Sequence, residues 1–489
     1  NDDGPTRRFL TSVVSHDEYQ WSSGMNDDQI DSIQQQDQEE EEDMDPMDIY
    51  IFVSAFLFSL AMAPLLAILA MGYMLKNAIG LVKFSLILPI ALNAVAAVLI
   101  LVAGVLDDDG NATNTSAADD NDDDEGSAGG AVVPLFFAIF LTLYARAVWH
   151  RIPFAAANLK AAITCVRSNL GMAFLGLAKI PIFLSWLFLW SYTYICVLGS
   201  PMMQPSESGS SGSTSTSSAG SDEDGPTSGQ VFGGFVLFAL IFCFIWTWNV
   251  LKNVIHCSLA GTVGTWWFLP QEASTCCSRG LTHSLSRSLT YSFGSICMGS
   301  LLVAIIEFLK GCIRRLTRNR YVGLLLFCIA ECLLAWIERL AQYFNKWAYV
   351  YVGVYGYGYI EAGKNVFALF RNRGWTAIIS DLLVSRMLGM LSLCIGLINA
   401  LVAALFSMGA SSTTIIASSF TAFFSGLILS GLVFSVLNSA NEAIIVLFCE
   451  APEEFRNNHS ELARELDDTW TQAWPEVFAA GPVVTAEPV

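Results

Sequence analysis

Nine apolar runs set the terms for this chain: 49–75, 81–105, 132–149, 170–198, 231–251, 288–310, a composite region 321–370, 376–406 and 412–448. A run of about 20 apolar residues is long enough, as a helix, to cross the ~30 Å of a bilayer's hydrocarbon. Water cannot reach backbone groups there, so only helices and closed barrels satisfy their own hydrogen bonds. The alternating pattern of barrel strands is absent. The expected fold class is therefore an all-α polytopic membrane protein. Composition agrees: 54% of residues are hydrophobic and only 14% charged, where a soluble domain carries about 25% charged residues.

The net charge of −19 is not spread evenly. Most of the acid lies in 1–48, 107–130 and 199–230, as in "DQEEEEDMD" (37–45) and "DDNDDDEG" (119–126). Such stretches cannot bury enough apolar surface to fold and are expected to be disordered. This divides the chain into an acidic outer segment (1–48), a transmembrane helical domain (49–448) with outer loops 107–130 and 199–230, and a cytoplasmic tail (449–489). Basic residues orient it. Lys76 and Lys83 flank a turn at 76–80, Arg151, Lys160 and Arg167 lie in 150–169, and Arg371 and Arg373 precede the 376 span. These places are expected on the cytoplasmic side. The sequons at Asn111 and Asn114 fall in an outer loop, as glycosylation acceptors must; a third, at Asn458, is read as accidental. The chain opens on Asn rather than Met, so a preceding piece is expected. One segment resists: "KGCIRRLTRNR" (310–320) carries five basic residues, and counting crossings puts it outside. Either 252–270 crosses or re-enters, or 321–346 lies along the membrane surface, as the charges at Glu331, Glu338 and Arg339 in an amphipathic pattern would suit.

Enzymatic signals are thin. His16, His150, His256, His283 and His459 have no partner in a hydrolase or metal motif, and neither a P-loop nor GxSxG is present. The 12 cysteines are scattered without zinc spacing. Cys276 and Cys277, beside Arg279, would suit palmitoylation if cytoplasmic. No basic patch suggests nucleic-acid binding.

The segment "YVYVGVYGYGYIEAG" (349–363) holds five tyrosines and four glycines. A potassium filter needs T-V-G-Y-G and fourfold assembly; no threonine stands here, which leaves an ion channel as a remote alternative. Aromatic faces attract quaternary ammonium groups. On a helix Tyr351, Tyr355 and Tyr359 share one face, with Tyr357 elsewhere, and Glu361 follows. The glycines weaken or break that helix, and broken helices near the midplane often hold substrate. Packing is the competing reading, since Gly353, Gly356 and Gly363 let helices approach. Trp186 and Trp190, one turn apart, and Trp246 are further aromatic candidates; Trp266-Trp267 reads as an interfacial anchor. Glu442, in "VLNSANEAIIVLF" (436–448), is the clearest ionisable residue inside an apolar span, where each costs at least ~2.5 kcal/mol. It would neutralise a solute's ammonium or carry a coupling proton. Glu307 and Asp381 sit nearer helix ends. Pro64, Pro89, Pro134 and Pro181 are candidate kinks.

Several stretches resemble one family. "RIPFAAANLKAAI" (151–163) is similar to the cytoplasmic loop of choline transporter-like proteins. "SLTYSFGSICMGSLLVAIIEFLK" (288–310) resembles that family's most recognisable helix, and "FNKWAYVYVGVYGYGYIEAGKNVFALFRNR" (344–373) resembles the signature that follows it. The tail 459–478 is similar to the fungal and protist branch. The resemblance implies a ten-helix carrier, about nine helices of it in this chain, with both termini cytoplasmic. Residues 1–48 would end a long outer loop after a first helix. It also implies transport of choline or related organic cations, without a covalent cofactor, by alternating access through the plasma membrane. The substrate-binding candidates are then Trp186, Trp190, Trp246, Tyr351, Tyr355, Tyr359, Glu361 and Glu442. The expected partners are a small choline-like cation and membrane lipids, with no nucleic acid; oligomeric state is not legible. A non-transporting scaffold of the same fold is the alternative.

Overall fold

The structure, a computed structural model, describes residues 46–111, 126–200, 228–276, 278–317, 324–373 and 376–474. Most of the acidic stretches, and the sequon residue Asn114, lie outside the described residues. The chain divides into two compact units, Asn1–Ser59 with Ala400–Ala422, and Leu60–Asn399 with Phe423–Val489.

Every regular element among the described residues is helical. Helix α1 spans Pro46–Asn111, α2 Gly126–Val148, α3 Ile152–Ser168, α4 Gly171–Leu177 and α5 Lys179–Leu198. Then come α6 Ser228–Phe268, α7 Arg279–Leu289, α8 Phe293–Thr317, α9 Leu324–Tyr355 and α10 Tyr359–Arg373. The last are α11 Thr376–Phe406, α12 Ser412–Glu450, α13 Pro452–Asn458 and α14 Ser460–Ala473. Among the described residues seven helical stretches are long and apolar enough to cross a membrane. Their outward side chains are apolar too: Phe188 is 77% exposed and Phe235 65%. A surface of this kind needs hydrocarbon around it. The protein is an all-α polytopic membrane protein.

Three boundaries differ from expectation. The turn expected at 76–80 is a kink at Asn77 (φ −128°, ψ 32°) within the single element α1. Residues 252–268, outside the apolar run expected at 231–251 and read as part of a stretch that crosses or re-enters, prolong α6 to 41 residues, about 60 Å at 1.5 Å per residue. Their polar side chains include Lys252, Asn253 and His256, which line an internal cavity. The amphipathic stretch 331–347 is part of α9, and two of its charges pair with α8: Glu338 with Lys310 at 2.8 Å, and Glu331 with Arg314.

In the larger unit α6 is the hub, packed by α5, α7, α8 and α9. The deepest core lies around its second half, where Trp267, Trp347, Tyr349, Phe154 and Phe455 are fully buried. Trp266 and Trp267 are not exposed anchors. Trp267 stacks on Phe455 at 3.9 Å, and Trp266 stacks on His459 at 4.0 Å. The Trp267 indole donates to the Ala451 carbonyl at 2.9 Å. Burial against this stack pushes the His459 imidazole below its ordinary pKa. On α14, Trp470 meets Phe154 edge-on at 5.1 Å, and Glu465 accepts from Lys160 at 2.6 Å. The tail is thus fastened to α3 and the end of α6. Asn458, of the third sequon, spends its amide on the carbonyls of Trp267 and Phe268.

Ser278 starts α7 with extended backbone, and its Oγ accepts from the Leu281 N–H at 3.1 Å and from the Asn169 amide at 2.7 Å. Ser278→Ala removes a cap and strands a buried amide. It is expected to cost about 1–2 kcal/mol, read as a lowered midpoint in thermal unfolding of the purified protein.

Candidate functional site

Three apolar helices each carry one polar stripe at i, i+3, i+4, i+7, the spacing of a single helix face. On α6 it is Asn249, Lys252, Asn253 and His256. On α9 it is Gln342, Asn345, Lys346 and Tyr349. On α12 it is Ser435, Asn438, Ser439 and Glu442. All of these but Tyr349 line, with Lys179 of α5 and Val303 of α8, a cavity of about 250 Å³.

Charge is concentrated on one wall. Lys346 Nζ lies 2.5 Å from Asp381 Oδ2 and 3.0 Å from Glu442 Oε1. Asp381 is 0% exposed and Glu442 2%. Asn438 also donates to Glu442 Oε1 at 2.8 Å, and Ser385 donates to Asn438 at 2.7 Å. His256 Nε2 lies 3.0 Å from the Lys346 carbonyl, and Nδ1 lies 2.8 Å from Ser439 Oγ. These two bonds suit a neutral imidazole that donates from Nε2 and accepts at Nδ1. Lys179 donates to Ser435 at 3.0 Å. Lys252, also lining the cavity, has no hydrogen bond or ion pair among the described residues.

A second, more apolar pocket of about 650 Å³ is lined by Tyr194, Leu237, Phe238, Ile241, Phe308 and Glu307 among others. Glu307 joins the two. Its carboxylate accepts from Asn249 and from Gln342, each at 3.0 Å, and both of those donors line the polar cavity. Among the described residues no basic side chain lies within ion-pair distance of Glu307, although Lys252 is attracted by it. Phe238 and Phe308 meet edge-to-face at 4.4 Å.

The tyrosine segment breaks where its glycines stand. Helix α9 stops at Tyr355, Gly356 takes φ +76°, and α10 resumes at Tyr359. A left-handed residue just past a helix end favours glycine. The break regroups the rings. Tyr357 joins Tyr351 and Tyr355, with centroids 5.6–6.5 Å apart, while Tyr359 turns to Tyr349 at 6.1 Å. The single face expected for Tyr351, Tyr355 and Tyr359 does not form, because the helix that would create it ends between them. Tyr351 donates to Glu450 at 2.7 Å, and Tyr359 donates to Asn345. Close packing falls to Gly353, set against the Cys257 backbone on α6; Gly356 and Gly363 face open space.

The other candidates are dispersed. Glu442 lies in the charge cluster. Trp190 stacks on Tyr194 at 5.1 Å, behind the apolar pocket, and its indole donates to Leu240. Trp246 donates to the Cys297 carbonyl at 3.2 Å. The Trp186 indole nitrogen is buried without a partner among the described residues. Glu361 is exposed, near Tyr359 and Lys364 in a separate pocket. Asn111 ends α1, and Asn114 lies outside the described residues. The sequence reading missed Lys179, Lys252, His256 and Lys346. Their signal was the repeated polar stripe, which marks a helix face turned away from lipid.

A multi-pass bundle whose helices turn polar and charged faces inward is a membrane protein that keeps water or solute within its span. A family model described as plasma-membrane choline transporter matches residues 132–453. The chain belongs to that family. It is similar to Protein PNS1 of Gibberella zeae, 33% identical over 255 residues, covering 49% of this chain and 45% of that one. It is similar to Protein PNS1 of Debaryomyces hansenii, 28% identical over 364 residues (70% of this chain, 67% of the relative). Protein pns1 of Aspergillus fumigatus is 30% identical over 366 residues (71% and 64%). The aligned parts thus span from about half to two thirds of these relatives' own lengths.

Proposed function

We propose that this chain is a transmembrane carrier of choline-like organic cations, secondary or facilitative, rather than an enzyme. One observation supports this above the rest: Glu307, a carboxylate with no direct ion pair among the described residues, lines an aromatic pocket. Rings of Tyr194, Phe238 and Phe308 offer the faces that a quaternary ammonium group prefers, since such a cation cannot donate strong hydrogen bonds. Trp190 backs Tyr194. Trp186, Trp246 and the tyrosines 351, 355 and 359 are second-line contacts in this reading, as is Glu361. Glu442 instead holds Lys346 in place. The break at 356–358 and the kink at Asn77 supply the hinges that alternating access requires.

The family description supports the plasma membrane as the site of action. The basic segments and the sequons at Asn111 and Asn114 support a cytoplasmic C-terminus and outer glycosylation. The test is radiolabelled choline uptake into proteoliposomes of the full-length protein, with and without an inside-negative potential. Saturable uptake that rises with the potential is expected. Glu307→Gln is expected to lower the uptake efficiency about 10- to 100-fold, the usual worth of a charge-assisted contact. Unchanged uptake in Glu307→Gln would remove Glu307 from the site, and no saturable uptake by folded wild type would overturn the reading.

A further inference from the structure

The carrier reading leaves the form of the solute open, and the distribution of charge narrows it. Lys346 is already committed between Asp381 and Glu442. Three groups make no direct ion pair around the two cavities, although Lys252 and Glu307 attract each other through space. Glu307 accepts only from amides, Lys179 donates only to a serine hydroxyl, and Lys252 has no hydrogen-bond or ion-pair partner among the described residues. Three lysines, Lys179, Lys252 and Lys346, face three carboxylates, Glu307, Asp381 and Glu442. The nearby Glu338 and Lys310 cancel each other at 2.8 Å. The site is therefore electrically balanced but polarised, with an acidic, aromatic end and a basic, polar end. Asn249 bridges them, because it donates to Glu307 and sits one turn before Lys252. A bare cation at Glu307 would compete with Lys252 for that carboxylate and leave one positive charge in excess, which is costly in low dielectric.

We infer that the preferred solute is a zwitterion, a quaternary or protonated amine bearing a carboxylate or phosphate a few bonds away; this rests on reading the chain as an amine carrier. Its ammonium lies at Glu307 against Phe238, Phe308 and Tyr194. Its anionic group lies between Lys179 and Lys252, where an ammonium donor and an anionic acceptor form charge-assisted hydrogen bonds. The fit requires both ends on one molecule.

Equilibrium binding to the purified full-length protein distinguishes the possibilities, with choline, glycine betaine and phosphocholine as probes. At least one zwitterion is expected to bind about tenfold or more tighter than choline, and Lys252→Gln to weaken that zwitterion about tenfold while choline binds no more weakly than before. Lys252→Arg should retain zwitterion binding, and Lys179→Gln provides a second, independent removal of positive charge if Lys252→Gln does not fold. Choline bound as tightly as both zwitterions, or a Lys252→Gln protein weakened equally for all three, overturns the inference. Choline binding with neither zwitterion bound does the same while leaving the amine-carrier reading intact. Folded wild-type protein that binds none of the three overturns both.

Discussion

Lys346→Met is expected to be among the most damaging single changes in the bundle, costing about 3–5 kcal/mol. Methionine matches the length of the lysine stem but removes the ammonium that two carboxylates share. Asp381 and Glu442 are both essentially excluded from solvent, so water cannot replace it. Asp381→Asn should cost less, about 1–3 kcal/mol, because Lys346 keeps Glu442 at 3.0 Å. Combining Lys346→Met with Asp381→Asn and Glu442→Gln should recover part of the loss, since neutral groups of similar shape carry no unpaired charge. Thermal unfolding of the purified variants in detergent reads these differences. A Lys346→Met protein as stable as wild type would mean that the carboxylates reach water or share a proton.

Gly353→Val should cost about 3 kcal/mol, the upper end for overpacking, because its side chain has nowhere to go. A Cβ at position 353 runs into the Cys257 carbonyl, and Gly261 on the facing helix already lies 2.7 Å, measured from an added Cβ, from the Gly353 carbonyl. Backbone, not a flexible side chain, occupies the space on both sides. The same carbonyl accepts from Arg287 of α7, so separating α6 from α9 also strands a guanidinium at a helix C-terminus. Gly363→Ala is the control. Nothing lies within 4 Å of its added Cβ, and alanine should gain up to ~1 kcal/mol as the better helix former. A Gly353→Val protein as stable as Gly363→Ala, read by denaturation midpoint, would show that the close approach of α6 and α9 does not set the effect at 353.

The helices were legible because lipid leaves the backbone few choices, and the break in the tyrosine segment was legible because glycine supplies the positive φ that ends α9. Helix α6 was cut short at 251 for a physical reason. Lys252, Asn253 and His256 look like a loop in a membrane protein until the cavity they face is known. Asp381 looked like a helix N-terminal charge for the same reason, since its partner Lys346 is 35 residues away in sequence. Pairings between helices are invisible to periodicity. The stripes at 249–256, 342–349 and 435–442 were present in the residues, but only as an absence of apolar side chains on one face. Tyr359 was assigned to the wrong ring cluster because the helical spacing used to place it does not survive the break at 356–358.

The most direct test of the site is a structure of the full-length protein determined at saturating glycine betaine, with a matched solute-free structure. Solute density should appear only with ligand, with the trimethylammonium group beside Glu307 and the carboxylate within hydrogen-bonding distance of Lys252 or Lys179. Density against the Tyr351–Tyr355–Tyr357 rings with both cavities unchanged would contradict the account and move the solute site to the broken helix.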